Sequence, residues 1–116
     1  MSQHHTINYI ELPVKHLSEA KAFYAAVFGW TFTDYGPNYA SFSGAGIDGG
    51  FDGDAGRVCS DQGALPVIFS DDLDATEAAV KAAGGTITIA QFDFPGGRRF
   101  HFTDPQGNGL AVWKTA

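Results

Sequence analysis

The residues best suited to chemistry in this chain are one glutamate and one histidine, each in an alternating segment that fixes which way it points. From Thr6 to Val14 the apolar Ile10, Leu12 and Val14 share one face of a strand, which leaves Tyr9 and Glu11 on the other. A carboxylate beside aromatic walls can act as a general base when its pKa is raised, or can pair with a ligand cation. The structural alternative for Glu11 is an ion pair with Arg98 or Arg99. Between Arg98 and Thr103 the same parity argument sends Phe100 and Phe102 to the core and turns Arg99, His101 and Thr103 to the opposite face. His101 titrates in the range proton transfer needs, although nothing in the sequence sets a nucleophile against it. Glu11 and His101 are therefore the candidate catalytic residues.

Around them the expected ligand-binding wall is aromatic with sparse polar anchors, the composition of a small-molecule pocket. Tyr9, Glu11, Arg99 and His101 belong to it by parity, and Leu110 and Val112 leave Ala111 and Trp113 on the same side. Phe51, Leu65 and Val67 are expected to complete it. Cys59 lies in Arg57-Val58-Cys59-Ser60-Asp61 without an adjacent base, which argues against a catalytic thiol. The glycine-rich stretch from Gly44 to Gly56 lacks the lysine of a phosphate loop and does not open a helix.

The elements that must position these residues occur twice. The first strand is followed by a helix that Ser18 can cap, with Ala22, Phe23, Ala26 and Val27 at helical spacing and Gly29 as its stop. Three strands are expected at Trp30 to Tyr35, Tyr39 to Ser43 and Ile47 to Asp52. The second half repeats the order: a strand from Ala64 to Ser70, a helix opening near Asp71 or Asp72 and ended by Gly84-Gly85, and strands near Thr86 to Phe92, Arg98 to Thr103 and Leu110 to Lys114. An offset of 56 residues superposes Leu17 on Leu73, Ala22 on Ala78, Ala26 on Ala82 and Gly29 on Gly85. The matched helix stops and three-strand tails indicate internal duplication. The expected fold is α+β: two βαβββ modules, about 6–52 and 64–114, within a single domain 1–116, forming a cupped mixed sheet with helices on its outer face.

Composition narrows the function classes. The chain has 116 residues, is 44% hydrophobic and 17% charged, and carries a formal charge of -6, the wrong sign for coating phosphates, so nucleic acid is not an expected partner. A lone cysteine cannot close an internal disulfide, and no apolar run resembles a signal peptide or membrane span. The expected compartment is the cytoplasm, with no membrane partner.

Four stretches, Asn8 to Val14, Ala20 to Trp30, Asp71-Asp72-Leu73-Asp74-Ala75 and Phe102-Thr103-Asp104-Pro105-Gln106-Gly107-Asn108, resemble the vicinal oxygen chelate superfamily of glyoxalases, bleomycin-resistance proteins and dioxygenases. The resemblance implies paired βαβββ modules, a cupped sheet and a homodimer. Metal-using members that the chain resembles place ligands in the first, fourth, fifth and last strands, because a divalent ion needs three or four converging N/O donors and an open position. Carried across, the first, fifth and last positions fall on Tyr9, Leu65 and Ala111. Asp52 is the only acid near the fourth, whose register the glycines blur. No metal ligand is therefore assigned and no cofactor is expected, although a divalent ion held by a substitute set of His5, Tyr9, Glu11 and His101 stays conceivable. The reading that results is a metal-independent protein binding a small molecule in an aromatic, partly acidic cup. The alternative is a glyoxalase-like lyase or isomerase with a non-standard metal site or a Glu/His acid-base pair, so enzymatic activity is left open.

Overall fold

The structure, a computed structural model, describes residues 3–116. Its elements run β1 (Tyr9–Pro13), α1 (Leu17–Phe28), β2 (Thr31–Asp34), β3 (Tyr39–Ser43), β4 (Asp48–Asp52), β5 (Val67–Phe69), α2 (Leu73–Ala82), β6 (Thr86–Phe94), β7 (Gly97–Thr103) and β8 (Gly109–Thr115). They form two compact units that divide between Cys59 and Ser60. Each unit is one βαβββ module with its own four-stranded sheet, in the orders β1-β4-β3-β2 and β5-β8-β7-β6. In both, the first strand pairs in parallel with the last and the remaining pairings are antiparallel. The fold is thus α+β, with the duplicated grammar of the sequence repeated in the topology.

In the first unit α1 covers one sheet face. Its buried stripe is Ala20, Phe23 and Tyr24 with Val27 and Phe28 half-buried, the i, i+3, i+4, i+7, i+8 spacing of a helix against a core. Ala22 and Ala26, expected in that stripe, are exposed. The stripe is rotated because the rings outweigh the alanines: Tyr24 stacks on Trp30 at 4.9 Å and lies 5.2 Å from Phe51, which in turn lies 5.3 Å from Phe42. Gly29 stops the helix in the left-handed region (φ 73°), its N–H donating to Ala25 O. The expected cap at Ser18 is replaced by His16, whose side chain makes no capping bond.

The second unit is better capped. Asp72 is the N-cap of α2 and accepts a hydrogen bond from Ala75 N at 3.1 Å. The core holds Leu73, Val80, Phe100, Phe102, Leu110 and Val112. The turn between β7 and β8 is built on buried Asp104, whose Oδ1 accepts from Gln106 N at 2.8 Å and Asn108 N at 3.0 Å. No helix among the described residues is long and apolar enough to cross a membrane.

Candidate functional site

With a helix on one face, each sheet leaves the other face open, and each open face has a different character. On the first sheet the cross-strand pairs Glu11 with Gly50 and Gly50 with Ser41, and Thr31 with Ser43, place Tyr9, Glu11, Tyr39, Ser41, Ser43 and Thr31 together. Tyr9 and Glu11 thus stand on the face their parity gave them. Both oxygens of Glu11 are engaged there. Its Oε1 accepts from Arg57 Nη2 at 3.0 Å, its Oε2 accepts from the Tyr39 hydroxyl at 3.0 Å, and the Tyr39 and Tyr9 hydroxyls are hydrogen-bonded to one another. Burial, and then the bonds to Tyr9 and Glu11, push the Tyr39 phenol well above the ordinary tyrosine value. The sequence-based partners for Glu11, Arg98 and Arg99, are not the ones used: Arg98 bonds Asp93 at 2.7 Å and Gln91 at 3.0 Å.

Phe51, expected in the ligand wall, is fully buried among Tyr24, Phe32 and Phe42. The correction follows from register: Phe51 pairs with Leu12 and Ala40, so it shares their helix-facing side. The same register settles the fourth-strand position. Glu11 and Val67 are related by the 56-residue offset, and they pair with Gly50 and Ala111 respectively, so the equivalent of Ala111 is Gly50 rather than Asp52. A Cβ built on Gly50 would lie 2.5 Å from the Tyr39 hydroxyl and 2.8 Å from that of Tyr9. The space a fourth-strand ligand would need is filled by two phenols.

The four positions that the resemblance implies for a metal are therefore Tyr9 and Gly50 in the first unit and Leu65 and Ala111 in the second. Glycine, leucine and alanine offer no side-chain donor, and the Tyr9 hydroxyl is held by Tyr39. Asp52 accepts from Asp54 N at 2.8 Å and shapes the following loop. Among the described residues no three His, Cys, Asp or Glu side chains converge to hold an ion. These residues do not fit a divalent metal.

The second sheet's open face is aromatic. Arg99 pairs with Trp113 and Phe92, His101 with Ala111 and Ile89, and Phe69 with Trp113, so all of these share that side. Phe69 meets Trp113 edge-on at 5.2 Å, and Phe94 meets it at 6.2 Å. The Arg99 guanidinium lies 5.3 Å from the Phe92 centroid and 5.5 Å from that of Phe94. His101 stacks on Phe92 at 5.9 Å. Val67 and Phe69 stay 45% and 49% exposed, large for apolar strand residues beside a packed core, while Ala111 is fully buried.

Two polar atoms on this face are buried without a hydrogen-bond partner: Arg99 Nε and His101 Nε2. Leaving a buried donor unsatisfied costs on the order of 1–3 kcal/mol, so each is a place where a ligand atom would be welcome. Burial, and then the charge of Arg99, lower the His101 pKa, which keeps the imidazole neutral near pH 7. His101 also borders a pocket of about 310 Å³ with Leu65, Ile89, Asp61 and Gln62. The structure thus brings Val67, Arg99, His101 and Trp113 onto one face of the second sheet, sets Leu65 at the pocket beside His101, and sets Tyr9 and Glu11 on the first sheet.

Sequence reasoning missed Tyr39, Arg57 and Gly50 in the first unit and Phe69, Phe92 and Phe94 in the second. The alternation of Tyr39 and Ser41 against Ala40 and Phe42 carries a signal for Tyr39. For Phe92 and Phe94 the signal is broken, because β6 shifts register between Ile87 and Ile89 and again between Ile89 and Phe92.

Two βαβββ modules, each with a helix on one face of its sheet and the other face open, define the class of fold. The model of the Glyoxalase/Bleomycin resistance protein/Dioxygenase superfamily matches residues 6–112, and the chain belongs to that superfamily. It is 30% identical to the CFP32 protein of Mycobacterium bovis, whose name assigns it provisionally to the glyoxylases; the match covers 94% of this chain and 45% of CFP32. The chain thus spans about half the length of that relative. Among solved structures it resembles a glyoxalase-related enzyme from Fulvimarina pelagi (TM-score 0.81, 18% identity, covering 96% of this chain and 88% of that one). It also resembles TnmS3, an antibiotic binding protein from Streptomyces sp. CB03234 (TM-score 0.73, 21% identity, both chains covered in full). At these identities the structural matches speak for the fold.

Proposed function

We propose that this chain is a metal-independent small-molecule-binding protein of the glyoxalase/bleomycin-resistance type, and that the open face of its second sheet receives the ligand. The observation that carries the reading is the concentration of Phe69, Phe92, Phe94 and Trp113 around two orphaned nitrogens, Arg99 Nε and His101 Nε2. Aromatic walls with sparse orienting groups are how small-ligand sites are built, and the likeness of the fold to that of an antibiotic binding protein supports the reading. The alternative, an acid-base enzyme using Glu11 and His101, has less behind it. Both Glu11 oxygens accept hydrogen bonds from side chains of their own unit, which leaves that carboxylate poorly placed to take a substrate proton.

The test is thermal denaturation against a panel of small aromatic compounds, with EDTA and with added zinc, nickel, manganese or iron. A ligand that binds only the native state raises Tm by mass action. The expected result is a saturable rise with at least one aromatic compound, lost in Trp113→Ala, with Tm indifferent to EDTA and to the metals. A metal-dependent rise, or an aromatic response unchanged in Trp113→Ala, would overturn it.

A further inference from the structure

The face that the proposed function assigns to a ligand also indicates what kind of ligand it prefers. We propose that it selects planar aromatic acids, with the carboxylate taken by Arg99 and the ring laid against Phe92, Phe94 and Trp113. The inference rests on that functional reading and deepens it.

The chain has 13 acids and 7 bases, so acidic partners outnumber cations. Arg57 and Arg98 each hold a carboxylate, at 3.0 Å to Glu11 and 2.7 Å to Asp93. Arg99, beside Arg98 in sequence, points to the opposite face, holds no carboxylate among the described residues, and has a buried Nε with nothing to donate to. In place of an acid it has two phenyl rings, which hold the guanidinium plane but leave its N–H edge unused. A guanidinium so placed is preorganised for a planar two-oxygen acceptor.

The neighbours suit the rest of such a molecule. Trp113 and Phe69 meet edge-on beside Arg99, and the half-exposed Val67 and Phe69 offer apolar surface for a ring. His101, neutral near pH 7, has a free Nε2 that can donate to or accept from a substituent next to the carboxylate. On the first sheet Arg57 and Tyr39 already occupy the Glu11 carboxylate, so that acid is not left open for an ammonium ligand.

Isothermal titration calorimetry of the full chain with three isosteric probes, 2-naphthoate, 2-naphthamide and 2-naphthylmethylammonium, tests this. The carboxylate is expected to bind about tenfold or more tighter than the amide, and the ammonium more weakly still. Arg99→Met should remove the preference, and Arg98→Met should keep it. Should Arg99→Met fail to fold, Arg99→Lys, which keeps the charge and loses the fork, is expected to show a reduced preference. An amide or ammonium that binds as tightly as the carboxylate would overturn the acid selectivity, and a carboxylate preference that survives loss of Arg99 would overturn the role given to Arg99; both leave the small-molecule reading standing. Absence of binding by all three would overturn both.

Discussion

Gly50 shows how a single missing side chain decides what a site can be. Its Cα sits beneath the Tyr9 and Tyr39 hydroxyls, so a methyl group there collides with both. Gly50→Ala is expected to push the two phenols aside and break the Tyr9–Tyr39–Glu11 chain, a loss of about 1 kcal/mol for the missing hydrogen bonds, read as a lower urea midpoint at constant slope. Tyr39 carries its own pH signature. Its folded pKa is raised, so the stability it contributes is complete below the ordinary tyrosine value near 10 and is lost as pH rises above it. Tyr39→Phe should lose about 1 kcal/mol at neutral pH for the missing hydrogen bonds and show a shallower decline in alkali than the parent chain. His101 works in the other direction. Its folded pKa is depressed, so its contribution is present above the ordinary histidine value and fades as pH falls below it. Arg99→Met should move the His101 titration, followed by NMR of the imidazole, upward toward the ordinary value, because the nearby positive charge is gone. The orientations of Tyr9, Glu11, Arg99 and His101 were legible from apolar alternation alone, since a strand's period admits only two answers. The roles of Gly50 and Arg57 were not: a glycine announces room without saying for what, and Arg57 reaches Glu11 from a loop whose path no periodicity encodes.

Elements differ in how much their stability depends on what the sequence declares. The first helix has its stop written in Gly29 but no side-chain cap at its start, whereas the second starts on Asp72 with a capping bond at 3.1 Å. Asp72→Ala should cost about 1 kcal/mol, while His16→Ala should cost little, since His16 makes no capping bond. The two faces of each sheet invite the same comparison. Phe51→Ala removes a ring enclosed by Tyr24, Phe32 and Phe42 and should cost about 3–5 kcal/mol, whereas Phe69→Ala, half exposed on the open face, should cost far less and weaken ligand binding instead. Element order and most strand bounds could be read from alternation and turn residues. What could not was the register of two strands: β4, because Gly49-Gly50 erases the pattern, and β6, because two irregularities move Phe92 and Phe94 relative to a simple alternation.

At the scale of the molecule, duplication supplies two copies of one architecture that the sequence has filled differently. In the first unit Glu11 is held by Tyr39 and Arg57, which leaves that carboxylate little for a ligand. The second unit leaves aromatic surface open, with the buried Arg99 Nε and His101 Nε2 on that face without hydrogen-bond partners. The positions that the family resemblance implies for a metal hold a tyrosine, a glycine, a leucine and an alanine, so the proposed binding would rest on rings and hydrogen bonds. The most direct measurement is an NMR titration of the isotopically labelled chain with 2-naphthoate in the presence of EDTA. Saturable shifts concentrated at Phe69, Phe92, Arg99, His101 and Trp113, with the Tyr9, Glu11 and Tyr39 signals still, are the predicted result. Shifts centred on the first sheet, or none until a divalent metal is added, would contradict it.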